Sequence, residues 1–275
     1  MIMDLLHQAA HHFGEQKEIQ LPGITLAIVH TENARNRIGW HCHENPYFTF
    51  ILQGEVIEGT KKEVYHCSAG NLLFHSRLEP HYNIELEGNV RCFHIDFAQS
   101  YLDDLAPNKS TLQGIFDIRN SGIKLACYKI FREAVISDDI SGASIHNLSL
   151  EILGQLLLTE DTAKPPRPLW VGKLEEILRS GYSEKFSLVE LSRELSIHPV
   201  HLSRSFSRYF HCTLGEYVRN VRVERSLAFM PDKNLSLTEI ASECGFADQS
   251  HFLRSFKRIM GVSPTAYRRL LCHRR

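Results

Sequence analysis

The sequence predicts a two-domain α+β chain: an N-terminal β-barrel with flanking helices, then an all-α domain containing two helix-turn-helix units. Three observations predict it. Apolar residues come in short alternating runs up to about residue 97 and at helical spacing thereafter. Three prolines crowd into the last four residues of Asp161–Pro168. Beyond them, an eight-residue segment recurs 50 positions later.

In the first part, Ile24 to Val29, Phe48 to Leu52, Asn71 to Phe74 and Val90 to Phe97 are apolar runs. Gln53-Gly54, Ala69-Gly70 and Glu87-Gly88 punctuate them, the rhythm of strands joined by turns. Gly122 to Ile136 and Ile145 to Leu158 then read as helices. In the second of these, Leu148, Ile152 and Leu156 recur four apart with Leu153 and Leu157 alongside. That stripe suits packing on the barrel or on the same helix of a second copy, so a homodimer is expected. The prolines force an extended spacer, which sets the domains at 1–160 and 171–275 with a linker at 161–170.

Net charge is −1 overall, but unevenly spread. Residues 1–170 hold 14 basic against 21 acidic side chains, and residues 171–275 hold 17 against 11. A polyanionic partner therefore belongs at the C-terminal end. The seven cysteines are scattered without a CxxC pair, which disfavours a disulfide framework and a zinc ribbon and fits a reducing cytoplasm. No run approaches the ~18 apolar residues of a membrane span, and the opening stretch carries Asp4 and no basic cluster, so neither membrane insertion nor secretion is expected. His7, His11 and His12 read as solvated.

His201-Leu-Ser-Arg-Ser-Phe-Ser-Arg208 aligns with His251-Phe-Leu-Arg-Ser-Phe-Lys-Arg258, and Leu188, Leu191 and Leu195 align with Leu237, Ile240 and Cys244. Two copies of a helix–turn–helix explain this, at about 187–209 and 237–259. In the second copy Leu237, Ile240, Ala241 and Cys244 face inward, Gly245 makes the turn and Asp248 caps the next helix, whose buried stripe is Phe252, Phe256 and Ile259. Gln249, Ser250, His251 and Arg254 are left outward. In the first copy Leu188, Leu191, Leu195, Leu202 and Phe206 are inside, Pro199 sits at the first helical turn, and Val200, Ser203 and Arg204 are outside.

The stretch Ile240-Ala-Ser-Glu-Cys-Gly-Phe-Ala-Asp-Gln-Ser-His-Phe-Leu-Arg-Ser-Phe-Lys257, with Gly261-Val-Ser-Pro-Thr-Ala-Tyr-Arg268, resembles the signature of the AraC/XylS family of transcriptional regulators. The resemblance covers about residues 171 to 271. It implies a seven-helix domain on double-stranded DNA, with a central helix at about Leu214 to Phe229 and base-reading positions at Val200, Ser203, Arg204, Gln249, Ser250, His251 and Arg254. Arg254 suits bidentate pairing with guanine. Arg193, Arg208, Lys257 and Arg258 face phosphate or solvent. The resemblance further implies a cytoplasmic activator that works with RNA polymerase and answers to a small-molecule effector, not an enzyme. Ser196 and His198 depart from the family's turn glycine and capping serine, which points to a looser first copy.

In the N-terminal part, Gly39-Trp-His41-Cys-His43, Tyr47, Gly54 and His81 resemble the two motifs of cupin barrels. Alternation sends His41 and His43 to one face. Tyr47 stands where metal-binding cupins carry glutamate, and Ser76 and Leu78 stand where the second motif has proline and glycine. His41, His43, Tyr47 and His81 are therefore candidate ligand-binding residues. Three readings stay open: a divalent metal on His41, His43 and His81, a metal-free ligand pocket, or a filled barrel. Trp40, Tyr47, Phe48 and Phe50 read as core. A cupin metalloenzyme with a DNA-binding tail and an effector-independent DNA-binding regulator are the alternatives for the whole chain.

Overall fold

A computed structural model describes residues 7–9, 15–34, 36–86, 88–105, 113–159 and 168–272. The chain divides into two units, Met1–Leu153 and Gly154–Arg275. His11, His12 and residues 161–167, which carry most of the expected linker, lie outside the described residues.

The first unit runs β1 His7–Ala9, β2 Glu15–Leu21, β3 Ile24–Ala34, β4 Arg37–His43, β5 Tyr47–Gln53, β6 Glu55–Gly59, β7 Val64–Ser68, β8 Leu72–His75, β9 His81–Glu85 and β10 Gly88–Phe97. Helix α1 Gln99–Leu105, strand β11 Ile115–Asp117, and helices α2 Ser121–Ile136 and α3 Ser141–Thr159 follow. The strands form a five-stranded sheet, β1-β4-β9-β6-β7, and a six-stranded sheet, β11-β8-β5-β10-β3-β2. The expected barrel thus takes the form of two facing sheets, with no ladder between them among the described residues.

Strand β5 shows why its sequence is apolar throughout. Its alternate residues Tyr47, Thr49 and Ile51 line a cavity between the sheets. Phe48, Phe50 and Leu52, also buried, point the other way, and Phe50 meets Tyr128 of α2 edge-on at 4.3 Å. Its direct cross-strand partner, Phe93 of β10, meets Phe131 of the same helix. A strand covered on both faces has no solvated side to keep polar. The glycines at the predicted turns, Gly54, Gly70 and Gly88, all have positive φ. In α3, Ile145, Ser149, Ile152, Leu153 and Leu156 are buried, whereas Leu148 is only half-buried.

The second unit is helical: α4 Leu169–Ser180, α5 Leu188–Glu194, α6 Pro199–Phe210, α7 Leu214–Phe229, α8 Leu237–Glu243, α9 Gln249–Met260 and α10 Pro264–Cys272. Helix α7 has the bounds read from the sequence and packs against α6, α8 and α9. Its start is fixed by a reciprocal cap in which Thr213 and Glu216 serve each other's backbone N–H; Ser236 and Glu239 do the same for α8. Among the described residues, no helix is long and apolar enough to cross a membrane.

Candidate DNA-reading surface and effector cavity

Each helix pair buries one stripe and exposes the other. In the second copy Ile240, Ala241 and Cys244 of the α8 segment and Phe252, Phe256 and Met260 of α9 are buried, whereas Leu237, and Leu188 at the matching place in the first copy, are only half-buried at the first residue of their helices. Met260 takes the innermost place expected of Ile259, which is half-buried, because the 3.6-residue period drifts by the third turn. Gly245 has φ +73° in the turn, and the Asp248 carboxylate accepts from the His251 N–H at 2.6 Å, as the pattern required. Gln249, Ser250 and Arg254 are exposed. Gln249 accepts from the Thr238 hydroxyl at 3.2 Å, which anchors it to α8. His251 is half-buried, packed edge-on against Phe246.

In the first copy Leu191, Leu195, Leu202 and Phe206 are buried, and Val200, Ser203 and Arg204 are exposed, Val200 by 51%. His201 is exposed beside them. The sequence reading did not select His201, although the 50-residue offset pairs it with His251. Arg193, Arg208, Lys257 and Arg258 are all exposed.

The two departures in the first copy keep the motif's geometry. Ser196 adopts φ +54°, the left-handed conformation that glycine would take. His198 caps α6 through its ring, Nδ1 accepting from the Val200 N–H at 3.3 Å. The turn is therefore strained rather than loose, since a side chain in this region costs about 1–2 kcal/mol. Ser196→Gly is expected to raise the stability of the second unit by about 1 kcal/mol; an unchanged urea midpoint would show that the turn carries no such strain.

In the first unit, His41 and His43 of β4 and His81 of β9 come together, with ligand-capable atoms within 4.8 Å of one another. All three are buried. They line a cavity of about 50 Å³ with Tyr47, Thr49 and His94 from the opposite sheet. The Tyr47 hydroxyl donates to His81 Nε2 at 3.0 Å, and its ring stacks on His75 at 4.2 Å. Burial pushes the His81 imidazole down to about 3, against the opposing pull of Glu58, so it is neutral near pH 7. Burial holds the Tyr47 phenol well above its ordinary range, so it stays a donor.

Two residues of this cluster were absent from the sequence reading. Glu58 of β6 and His75 of β8 are buried, hydrogen-bonded to each other, and form a second potential metal-binding triad with His81. Burial acts to raise the Glu58 carboxyl, but His75, by charge and hydrogen bond, together with His81 and His41 outweighs it and brings it below the ordinary carboxylate range. Trp40 corrects an expectation: it is 37% exposed, edge-on to Tyr82, and outside the core. Alternation explains it, because a strand that turns His41 and His43 inward turns residue 40 outward. Leu78 keeps φ +56° where the cupin motif has glycine.

Residues 191–270 match the family described as Helix-turn-helix domain. Over 36% of its length the chain is 27% identical to the Msm operon regulatory protein of Streptococcus mutans. Over 97% of its length, and 98% of the relative's, it is 20% identical to the uncharacterized HTH-type transcriptional regulator YdeC of Bacillus subtilis. Among solved structures, ToxT from Vibrio cholerae O395 is similar over 91% of this chain and 99% of that one, with 13% identity and a TM-score of 0.39. The matches to the first three curated relatives span about a third to a half of those proteins' own lengths.

Proposed function

The chain belongs to the AraC/XylS family of transcriptional regulators through its C-terminal helix-turn-helix domain, and we propose that it reads a specific DNA site and answers to a small effector held between its N-terminal sheets. The observation that carries this is the pair of two-sided helices: α6 and α9 bury Leu202/Phe206 and Phe252/Phe256 and leave Arg204 and Arg254 exposed at equivalent positions. Helices of this build enter the major groove with the outward residues of their N-terminal turns against base edges. Val200, Ser203 and Arg204 serve in the first copy and Gln249, Ser250, His251 and Arg254 in the second, with His201 added by the repeat. Arg193, Arg208, Lys257 and Arg258 contact phosphate, which makes affinity fall with salt.

On this reading residues 1–160 sense, 161–170 space the domains, and 171–275 bind DNA. The protein acts in the cytoplasm as a regulator rather than an enzyme, as a homodimer through α3, and activates by contact with RNA polymerase. His41, His43, Tyr47 and His81 receive the effector, whose binding shifts the population of DNA-competent molecules.

The test begins with selection of bound duplexes from a genomic fragment library by the full chain. Arg254→Ala then loses about 1–3 kcal/mol on the selected site, roughly 5- to 150-fold in affinity, and flattens preference at one base position. Equal losses on selected and random duplex would assign Arg254 to phosphate instead.

A further inference from the structure

Resting on the reading of α9 as a DNA-reading helix, we propose that Thr238 sets which base Gln249 selects. With its carbonyl oxygen held by the Thr238 hydroxyl, Gln249 turns its amide N–H groups to the major groove and prefers guanine over adenine. Thr238 is thus a positioning residue for specificity that touches no base itself.

Geometry argues first. Thr238 is the second residue of α8 and Gln249 the first of α9, and both side chains are exposed. Thr238 Oγ1 donates to Gln249 Oε1 at 3.2 Å, tying the two helices together where α9 begins. Residues of that first turn are the ones that reach base edges in a helix-turn-helix. The two ends of a carboxamide point apart, so an oxygen turned toward α8 leaves the nitrogen as the end that faces DNA. Among the described residues, no protein acceptor engages Gln249 Nε2.

The chemistry of the base edges turns this into a choice. A glutamine at liberty reads adenine with both ends of its amide, donating to N7 and accepting from the N6 amino group. Once Oε1 is engaged, the donor end does the reading. Guanine offers that end two acceptors, N7 and O6, whereas adenine offers N7 beside an amino group that is itself a donor. The start of α9 adds the partial positive charge of a helix N-terminus at the same place, which also favours an acceptor edge. Where the groove excludes water, breaking the Thr238 bond to free Oε1 carries a cost of its own.

The repeat supplies an internal contrast. At the places matching Thr238 and Gln249, the first copy has Val189, which is 54% exposed, and Pro199. Neither side chain can form a hydrogen bond, so this device belongs to the second copy alone. Valine is also evidently compatible with that helix position, which makes Thr238→Val a mild change to the fold.

The experiment selects bound duplexes from a randomised library with the full chain and with Gln249→Ala, Thr238→Val and Thr238→Ser. Gln249→Ala locates the position, because one base pair loses its preference. The wild type is expected to hold a G·C pair there, and 7-deazaguanine at that place, which lacks the N7 acceptor, weakens its binding. Thr238→Val lowers the guanine-to-adenine ratio at that pair by about 3- to 10-fold, and Thr238→Ser, which keeps the hydroxyl, restores it. Circular dichroism checks each fold; should Thr238→Val not fold, Thr238→Ala takes its place.

An A·T pair at the located position in the wild type overturns the proposal, as does a base ratio indifferent to loss of the Thr238 hydroxyl. So does a Gln249→Ala variant that keeps every preference. Each of these leaves the regulator reading intact, because the wild type has enriched a site. A wild type that enriches no duplex removes that reading and this inference together.

Discussion

Arg179→Ala is expected to destabilise the C-terminal unit by about 3–5 kcal/mol. Arg179, near the end of α4, donates from both terminal nitrogens to both oxygens of Glu224 in the middle of α7, each at 3.2 Å. Both side chains are nearly inaccessible. Truncating the arginine removes both of these hydrogen bonds and their positive charge from a buried carboxylate, and that removal is the source of the loss. The same reasoning sets the control: Arg179→Met combined with Glu224→Leu removes both charges and recovers most of the stability. Urea unfolding of the single and double variants measures it. A single variant within about 1 kcal/mol of the wild type, or a double variant as poor as the single, would contradict the account.

Gly245→Ala follows, with an expected loss of about 2–5 kcal/mol, combining the left-handed penalty of about 1–2 with overpacking of about 1–3. The residue has φ +73°, and a Cβ there would lie 2.4 Å from the Ser183 carbonyl oxygen and 2.5 Å from its Cα. These are backbone atoms that cannot rotate aside. The segment they belong to is itself pinned: Arg222 of α7 donates to the Tyr182 and Glu184 carbonyls, and the Arg225 guanidinium lies over the Tyr182 ring. The variant should show a lowered urea midpoint together with loss of duplex binding. A midpoint near the wild type's would mean that the segment yields.

Much of the helical unit was legible because its information is local. The stripe of Leu202 and Phe206, the cap at Asp248 and the glycine at 245 each act within a few residues, so the helix pairs and α7 fall where spacing put them. Ser196 and Leu78 show the limit of motif reading. Both stand where a motif has glycine, and Ser196 suggested a looser turn, yet both backbones keep positive φ because the surrounding structure dictates it. The cavity was only half legible. His41, His43, Tyr47 and His81 stand in recognisable spacing, whereas Glu58 and His75 join them through strand register and the facing of two sheets. No short window encodes that juxtaposition. Trp40 was misassigned by hydrophobicity where the alternation that placed its neighbours gave the right answer.

The central helix of the second unit runs 16 residues without a break, about 24 Å at 1.5 Å per residue. On the proposed function, a rod of that kind fixes how far apart two reading heads stand, so that the chain would measure an interval along the double helix as well as its letters. On that reading the letters are set by side chains that project into solvent and can change one at a time. The interval is written into buried residues such as Val221 and Leu227, so a lineage of such proteins can acquire new target sequences while keeping the same ruler.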